Sequence, residues 1–468
     1  MNRAAGQARI VGNVHVVDVT QSTERVRAGA TALDVWAFLL PGLSFLQVTV
    51  VGQLIVSEIL AALLLPWLWA AKERLKLPRW FVWLWAGWLV SQVATDLVMR
   101  SAFADYARGW AAIVFTMTDF LAILVLIATP RRARLFALGL AASGIAGYFV
   151  APNLYAAADP WKWAFAAPIG FGLAAGLSGR VYVRMPTLPV AAFAAFGALN
   201  LLFGFRSLGG VALLTALYLF LGMLVTRGQA TVRRSMGRAI LGLLFCAMAA
   251  LGILQGYDLA ASQGLLGTRA QAEYLQQSSG SLGVLIGGRS DVLAATQAII
   301  DSPIIGHGSW AKDFKYVDLL ATRLTSLGYE IGAGSSDVGL IPAHSYMLGS
   351  WVWAGLLGGV FWAAMLLLAG WLLLNLYAVR LRLGPLLVFS STLLLWNIVF
   401  SPYGSTARLL AAYGIGLCLL GLQALAGDER VPDEPDASAV SPSPTSNGQR
   451  ISSLRRTAAA GSMGGGSK

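Results

Sequence analysis

Long apolar stretches recur along most of this chain, separated by short polar connections. Each runs to about 17 residues or more, the length a helix needs to cross a hydrocarbon core roughly 30 Å thick. The pattern predicts helices at about 34–52, 54–71, 79–99, 109–129, 133–151, 163–179, 187–203, 207–226, 238–255, 344–377, 384–400 and 406–426. The tenth is too long for one straight crossing, so it either tilts or begins outside the bilayer. The predicted fold class is therefore all-α, a polytopic membrane protein of about twelve transmembrane helices.

Three regions fall outside the pattern. Residues 1–33 are polar and mixed in charge, without the charged and apolar regions of a cleaved signal, and read as a cytoplasmic tail. Residues 427–468 are rich in Pro, Ser, Gly and charge and read as a disordered cytoplasmic tail; its final Gly-Ser-Met-Gly-Gly-Gly-Ser-Lys reads as an appended expression remnant. Residues 256–343 form one large connection between the ninth and tenth helices. A connection this long in a compact protein is functional or disordered. It contains an amphipathic stretch, Ser290–Ile300, and enough apolar residues to fold onto the helices.

Composition agrees with the membrane reading: 57% of residues are hydrophobic and 12% charged, against about 25% charged in a soluble domain. The net charge of +12 invites a nucleic-acid reading, but the distribution of the basic residues argues for topology instead. Lys72, Arg74, Lys76 and Arg79 share one loop, Arg131, Arg132 and Arg134 the next in alternation, then Arg180 and Arg184. Arg227, Arg233, Arg234 and Arg238, and finally Arg380 and Arg382, complete the set. The other short loops carry only Arg100, Arg108 and Lys162, with Arg206 and Arg408 at helix mouths. Positive-inside bias puts the first set, and with it both termini, in the cytoplasm. The 256–343 loop then lies outside. Cys246 and Cys418 each sit in an apolar run and imply neither a disulfide nor a metal site.

Few residues could carry chemistry. Arg206 stands between two apolar runs, as an interfacial anchor or as a phosphate clamp. Arg289, in Gly287-Gly288-Arg289-Ser290-Asp291, is either a solvated loop arginine or an anion contact ahead of a helix. His344 heads the tenth helix, with Leu348, Trp351 and Gly355 on its face, and is either structural or a general base. His307, in a Gly-His-Gly turn, reads as turn architecture first and substrate contact second. Arg100 and Arg408, like Arg108, are anchors before they are candidate substrate contacts. Asp96, Asp119 and Glu58, inside apolar runs, are helix contacts or parts of an ion path. There is no metal cluster, P-loop or nucleophile triad in the sequence.

Three segments together resemble the O-antigen polymerase and O-antigen ligase superfamily of bacterial membrane glycosyltransferases. Phe205-Arg206-Ser207 is similar to the pair that opens a middle span in that family. Gly288-Arg289, followed by Asp301-Ser-Pro303-Ile-Ile-Gly306-His-Gly308, resembles its arginine, helix and Asp-x-Pro-hydrophobic-hydrophobic-Gly-x-Gly run. His344-Ser-Tyr-Met-Leu348-Gly-Ser-Trp351-Val-Trp-Ala-Gly355-Leu-Leu-Gly358 resembles its His-Asn-x-x-Leu-x-x-Trp-x-Glu-x-Gly-x-x-Gly. Ser345 replaces an Asn and Trp353 a Glu, which bears on acceptor specificity. The motifs span about residues 200–360.

The resemblance implies a GT-C-like fold in the bacterial inner membrane, with its active site facing the periplasm. It implies transfer from an undecaprenyl-diphosphate-linked oligosaccharide to a glycan hydroxyl, with no metal and no other cofactor. Arg206 and Arg289 would hold the diphosphate, and His344 would take the acceptor's proton. The expected activity is polymerisation of an O-antigen, capsule or exopolysaccharide, alongside a flippase and a chain-length regulator. A ligase transferring glycan to the lipid A core is the alternative, and a transporter or flippase of the lipid-linked glycan is the second. Nucleic acid is not an expected partner.

Overall fold

The computed structural model describes residues 19–70, 77–152, 154–226, 235–265, 290–328 and 339–426, with a few single positions between 267 and 275. The described chain is mostly helical. Six helices are long and apolar enough to cross a bilayer: α3 (Arg79–Met99), α4 (Phe103–Leu126), α5 (Pro130–Val150), α10 (Arg206–Thr226), α15 (Leu356–Leu376) and α17 (Ser405–Ala426). This is a helical membrane protein. Shorter apolar helices complete the bundle: the latter part of α1 (Val19–Gly42), α2 (Val56–Ala70), α9 (Thr187–Leu202), the start of α11 (Met236–Ser262) and α16 (Gly384–Phe400). Between α5 and α9 lie α6 (Leu154–Ala158), a π turn at Trp161–Phe165, α7 (Ala166–Gly176) and α8 (Arg180–Arg184).

Two of the predicted helices are interrupted outright, and a third, expected over 163–179, is a π turn followed by the shorter α7. The first, expected over 34–52, stops at Gly42, and the chain then forms a two-stranded antiparallel hairpin, β1 (Gln47–Thr49) with β2 (Gln53–Ile55). The apolar run there is Val48-Thr49-Val50-Val51, β-branched residues that favour extended backbone over helix, and Gly52 follows at the turn. The tenth, expected over 344–377, breaks at Gly355 into α14 (Tyr346–Ala354) and α15. Gly355 has φ 70° and ψ −159°, a conformation that glycine alone adopts cheaply.

Helix α15 occupies the middle of the bundle, with Trp362, Met365, Ala369 and Leu372 fully buried. Around Trp362 gather Trp88 of α3, Tyr346 of α14 and Tyr403, with ring centroids 5.0–5.6 Å apart. Elsewhere helices approach through small residues, as α9 and α10 do where Gly197 and Gly209 face each other's carbonyls.

Side-chain contacts tie the connections together at each end of the bundle. At one end Arg134 Nε donates to the Ala175 carbonyl (3.0 Å), the Gly179 amide to the Arg382 carbonyl (2.7 Å) and Arg380 Nε to Thr226 Oγ1 (2.9 Å). At the opposite end Arg108 Nε donates to the Val51 carbonyl (2.9 Å) of the hairpin, Ser405 Oγ to Gln53 Oε1 (3.1 Å) and Lys312 Nζ to Asp105 (3.3 Å). Basic residues of alternate connections thus lie at the first end. Residues 290–328, which come after α11 in the chain, meet the bundle at the second.

A methyl group on Gly355 would lie 2.0 Å from the Ile304 carbonyl oxygen, whereas one on Gly370 of α15 meets nothing within 4 Å. Gly355→Ala is therefore expected to cost about 1–3 kcal/mol from this positive-φ, extended-ψ backbone alone, with the collision added. Thermal unfolding in detergent should show a clear drop for Gly355→Ala and none for Gly370→Ala.

Candidate active site

The break at Gly355 leaves the last carbonyls of α14 without helical partners, and each must find a donor. The segment after α12 (Asp291–Asp301) supplies most of them. The His307 amide donates to the Val352 carbonyl (2.7 Å) and the Gly308 amide to the Trp353 carbonyl (3.1 Å). In return the Leu356 amide donates to the Ile304 carbonyl (3.1 Å), and Trp351 Nε1 to the Pro303 carbonyl (2.8 Å). Gly306 and Gly308, with φ of 85° and 91°, give the backbone this path.

Helix α3 completes the joint with a polar stripe, Ser91, Gln92, Thr95 and Asp96, on one face of an otherwise apolar helix. Ser91 Oγ donates to the Ala354 carbonyl (2.6 Å), and the Thr95 hydroxyl donates to the Ile305 carbonyl. Asp96, 3% exposed, is the anchor. Its Oδ1 accepts from the Ser309 amide (2.6 Å) and Ser101 Oγ (2.7 Å). Its Oδ2 accepts from Ser309 Oγ (2.7 Å), Trp110 Nε1 (2.9 Å) and Gln92 Nε2 (3.2 Å). A carboxylate so surrounded by donors is well satisfied, although it is buried.

On this base sits a small layer outside the bundle. The alanine face of α12 (Ala294, Ala295, Ala298) packs against Val352, Ile341 and Tyr316, the last from α13 (Phe314–Ser326). Asp301 joins the two helices, its Oδ2 accepting from Lys315 Nζ (2.7 Å) and the Tyr316 hydroxyl (2.8 Å), while Oδ1 accepts from Gln297 Nε2 (2.9 Å). Lys315 first, then Gln297 and Tyr316, hold the Asp301 carboxyl well below the usual carboxylate range.

This layer delivers the first residue of α12 to His344. His344 Nδ1 lies 2.5 Å from Asp291 Oδ2. His344 is about half exposed and Asp291 about a quarter, at the rim of a small cleft that Ser345, Leu348 and Phe400 also line. Ser345 caps α14, its Oγ accepting from the Leu348 amide (3.1 Å) and donating to the Ile398 carbonyl (2.8 Å). Serine thus does the capping that an asparagine would do equally well. Trp353, in the place of the expected Glu, stacks on Trp310 with centroids 5.2 Å apart.

The other sequence candidates fall as follows. Arg206 is the first residue of α10, its guanidinium 4.9 Å above the Tyr257 ring of α11, with Asp258 in electrostatic reach. Because Thr226 at the far end of α10 meets Arg380, just ahead of α16, the two helices run antiparallel. Arg206 therefore lies at the same end as Phe400 and His344. Arg289 lies outside the described residues. The His307 ring is committed to structure, with Nε2 donating to the Ala298 carbonyl (2.8 Å) and its face against Tyr316. Arg408 is buried against Glu58. Arg100 ends α3 in a left-handed conformation with its side chain exposed. Both cysteines are free thiols.

Sequence reasoning missed Asp291 as the histidine's partner and Asp96 as the anchor. The signal for Asp96 was there, since Ser91, Gln92, Thr95 and Asp96 share one helical face. Nothing local could pair Asp291 with a histidine more than fifty residues away.

No family model, no curated protein and no solved structure matches the chain.

Two outcomes test the joint. Asp96→Asn gives up one acceptor oxygen and turns two donors toward donors, at a cost on the order of 3 kcal/mol. Amide exchange across 302–313 should accelerate while that of α16 holds; unchanged exchange would contradict the anchor role. Asp301 titrates lower in the folded chain than in the unfolded one. Its contribution is therefore complete above the unfolded value near pH 4 and is lost progressively as pH falls below it toward the lower folded value. Exchange in α12 and α13 should rise below about pH 4, and Asp301→Asn should remove that pH dependence.

Proposed function

We propose that this chain is a glycosyltransferase of the O-antigen polymerase and ligase superfamily, acting at the outer face of the bacterial inner membrane. The observation that carries the reading is the His344–Asp291 pair, formed at the end of the bundle that also bears Arg206. In a protein with this topology α1, α2, α3, α4, α5, the π turn with α7, α9, α10, α11, α14 with α15, α16 and α17 make twelve crossings. Both termini are cytoplasmic and α12 and α13 periplasmic. The gathering of Arg134, Arg380 and Arg382 at the opposite end supports that orientation.

The chemistry follows from the pair. A neutral imidazole whose Nδ1–H donates to Asp291 presents the Nε2 lone pair as proton acceptor. The acceptor sugar's hydroxyl oxygen attacks the anomeric carbon of a polyprenyl-diphosphate-linked glycan, and the bond from that carbon to the diphosphate breaks. The hydroxyl proton goes to Nε2, and the imidazolium so formed is stabilised by the Asp291 carboxylate. The diphosphate leaves as a dianion-bearing group that needs positive charge. Arg206, and Arg289 two residues ahead of Asp291 in the sequence, are the residues suited to it, because a guanidinium fork matches phosphate oxygens.

Polymerisation of a lipid-linked repeat unit is the preferred activity. The test is reconstitution in liposomes with a synthetic polyprenyl-diphosphate oligosaccharide, products resolved by mass spectrometry. A ladder of lengthened lipid-linked glycan is expected. His344→Ala should slow it by about 10²–10⁴-fold, the usual contribution of a general base, with protein abundance unchanged. Transfer only on adding lipid A core would make the enzyme a ligase. Wild-type rates from His344→Ala would remove the base assignment, and no transfer to either acceptor would favour transport.

A further inference from the structure

The bundle interior holds a charged cluster that glycosyl transfer does not use. Glu58 of α2 and Arg408 of α17 form a buried ion pair, with Arg408 Nη2 donating to Glu58 Oε2 (2.8 Å) and to the Gln53 carbonyl (3.0 Å). Glu58 Oε2 also accepts from the Ile55 amide (2.9 Å). That pair is satisfied. Asp119, well inside α4, is not: it is 0% exposed, and neither carboxylate oxygen has a hydrogen-bond partner among the described residues.

The charged groups that act on Asp119 are Glu58 from α2 and Arg408 from α17, with Tyr403 beside them and hydrogen-bonded to Thr116 one turn up α4. The other carboxylates of neighbouring helices are engaged elsewhere, Asp96 of α3 with Ser309 and Trp110, and Asp34 of α1 with Arg131. The cluster therefore sets two carboxylates against one guanidinium. An excess negative charge in an apolar interior is not sustained without a counter-charge, and among the described residues the one guanidinium acting there, that of Arg408, is already paired.

We propose that Asp119 binds one monovalent cation, a proton or a sodium ion, between α2, α4 and α17. The bound cation makes the cluster neutral. It also leaves Arg408 to hold Glu58 and, through the Gln53 carbonyl, the β1–β2 hairpin at the end of the bundle where His344 lies.

Charge counting gives the test its second variant. Glu58→Gln removes one negative charge, so Arg408 alone balances Asp119 and no cation is required. Asp119→Asn, an isosteric change, removes the site itself. Purified protein in nanodiscs would be studied by infrared difference spectroscopy at neutral pH without sodium, and by uptake of radioactive sodium. If the cation is a proton, the wild type shows the carbonyl stretch of a neutral carboxylic acid, and both variants lose it. If it is sodium, the wild type binds one ion per chain and both variants bind none. A wild type showing neither signal overturns the proposal, as does survival of the signal in Glu58→Gln, which needs no folded Asp119→Asn protein for comparison.

Discussion

A helix that breaks inside a bundle exposes backbone carbonyls that cannot be left without donors, and the break at Gly355 is the constraint on which the rest of this structure depends. Polar backbone buried away from water must be paired. Here the partners come from two places distant in sequence: the Ile304–Gly308 backbone and the polar stripe of α3. Satisfying α14 therefore joins the bundle to the layer outside it. The glycines at 306 and 355 allow the two backbones to approach more closely than any side chain would permit.

The geometry of the candidate site follows from that joint. Helix α12 runs away from the pinned segment, its alanine face flat against Val352 and Tyr316, and its first residue meets His344. The imidazole is held from below as well, because Ser345 both starts α14 and ties it to the end of α16. A histidine positioned by two independent supports has little freedom left to lose, which is what the proposed general-base role requires of it. Asp96 does not touch the histidine in this arrangement, yet it fixes the segment that places Asp291. Its burial at the mouth of α3 is the reason for its five donors.

Much of this was legible in the sequence, and the failures have physical causes. Continuous apolar runs with clear ends, such as 79–99 and 384–400, became helices with the same limits. The run at 34–52 did not, because hydropathy cannot separate a β-branched strand from a helix, and Val48–Val51 is as apolar as either. The excess length of 344–377 was visible, but the position of the break depends on what Gly355 touches. His344 and Arg206 stood out as polar residues at the edges of apolar runs. Asp291 did not, since an acidic residue opening a helix is ordinary and its partner is remote. Arg408 was read as an outer-face cation, and its burial came from Glu58, a residue at the other end of the chain.

The proposed chemistry depends on one pair of atoms, His344 Nδ1 and Asp291 Oδ2, and nitrogen NMR can read the histidine directly. The chain has three histidines, so a protein labelled with ¹⁵N in its imidazoles gives a resolvable spectrum. His307 donates from Nε2 to the Ala298 carbonyl, whereas His344 is predicted to be neutral with its proton on Nδ1, facing Asp291. The His344 signals should show the Nδ1–H tautomer at neutral pH and shift in Asp291→Asn, with those of His307 unmoved. A His344 protonated on Nε2, or one indifferent to Asp291→Asn, would contradict the base that the proposed reaction needs.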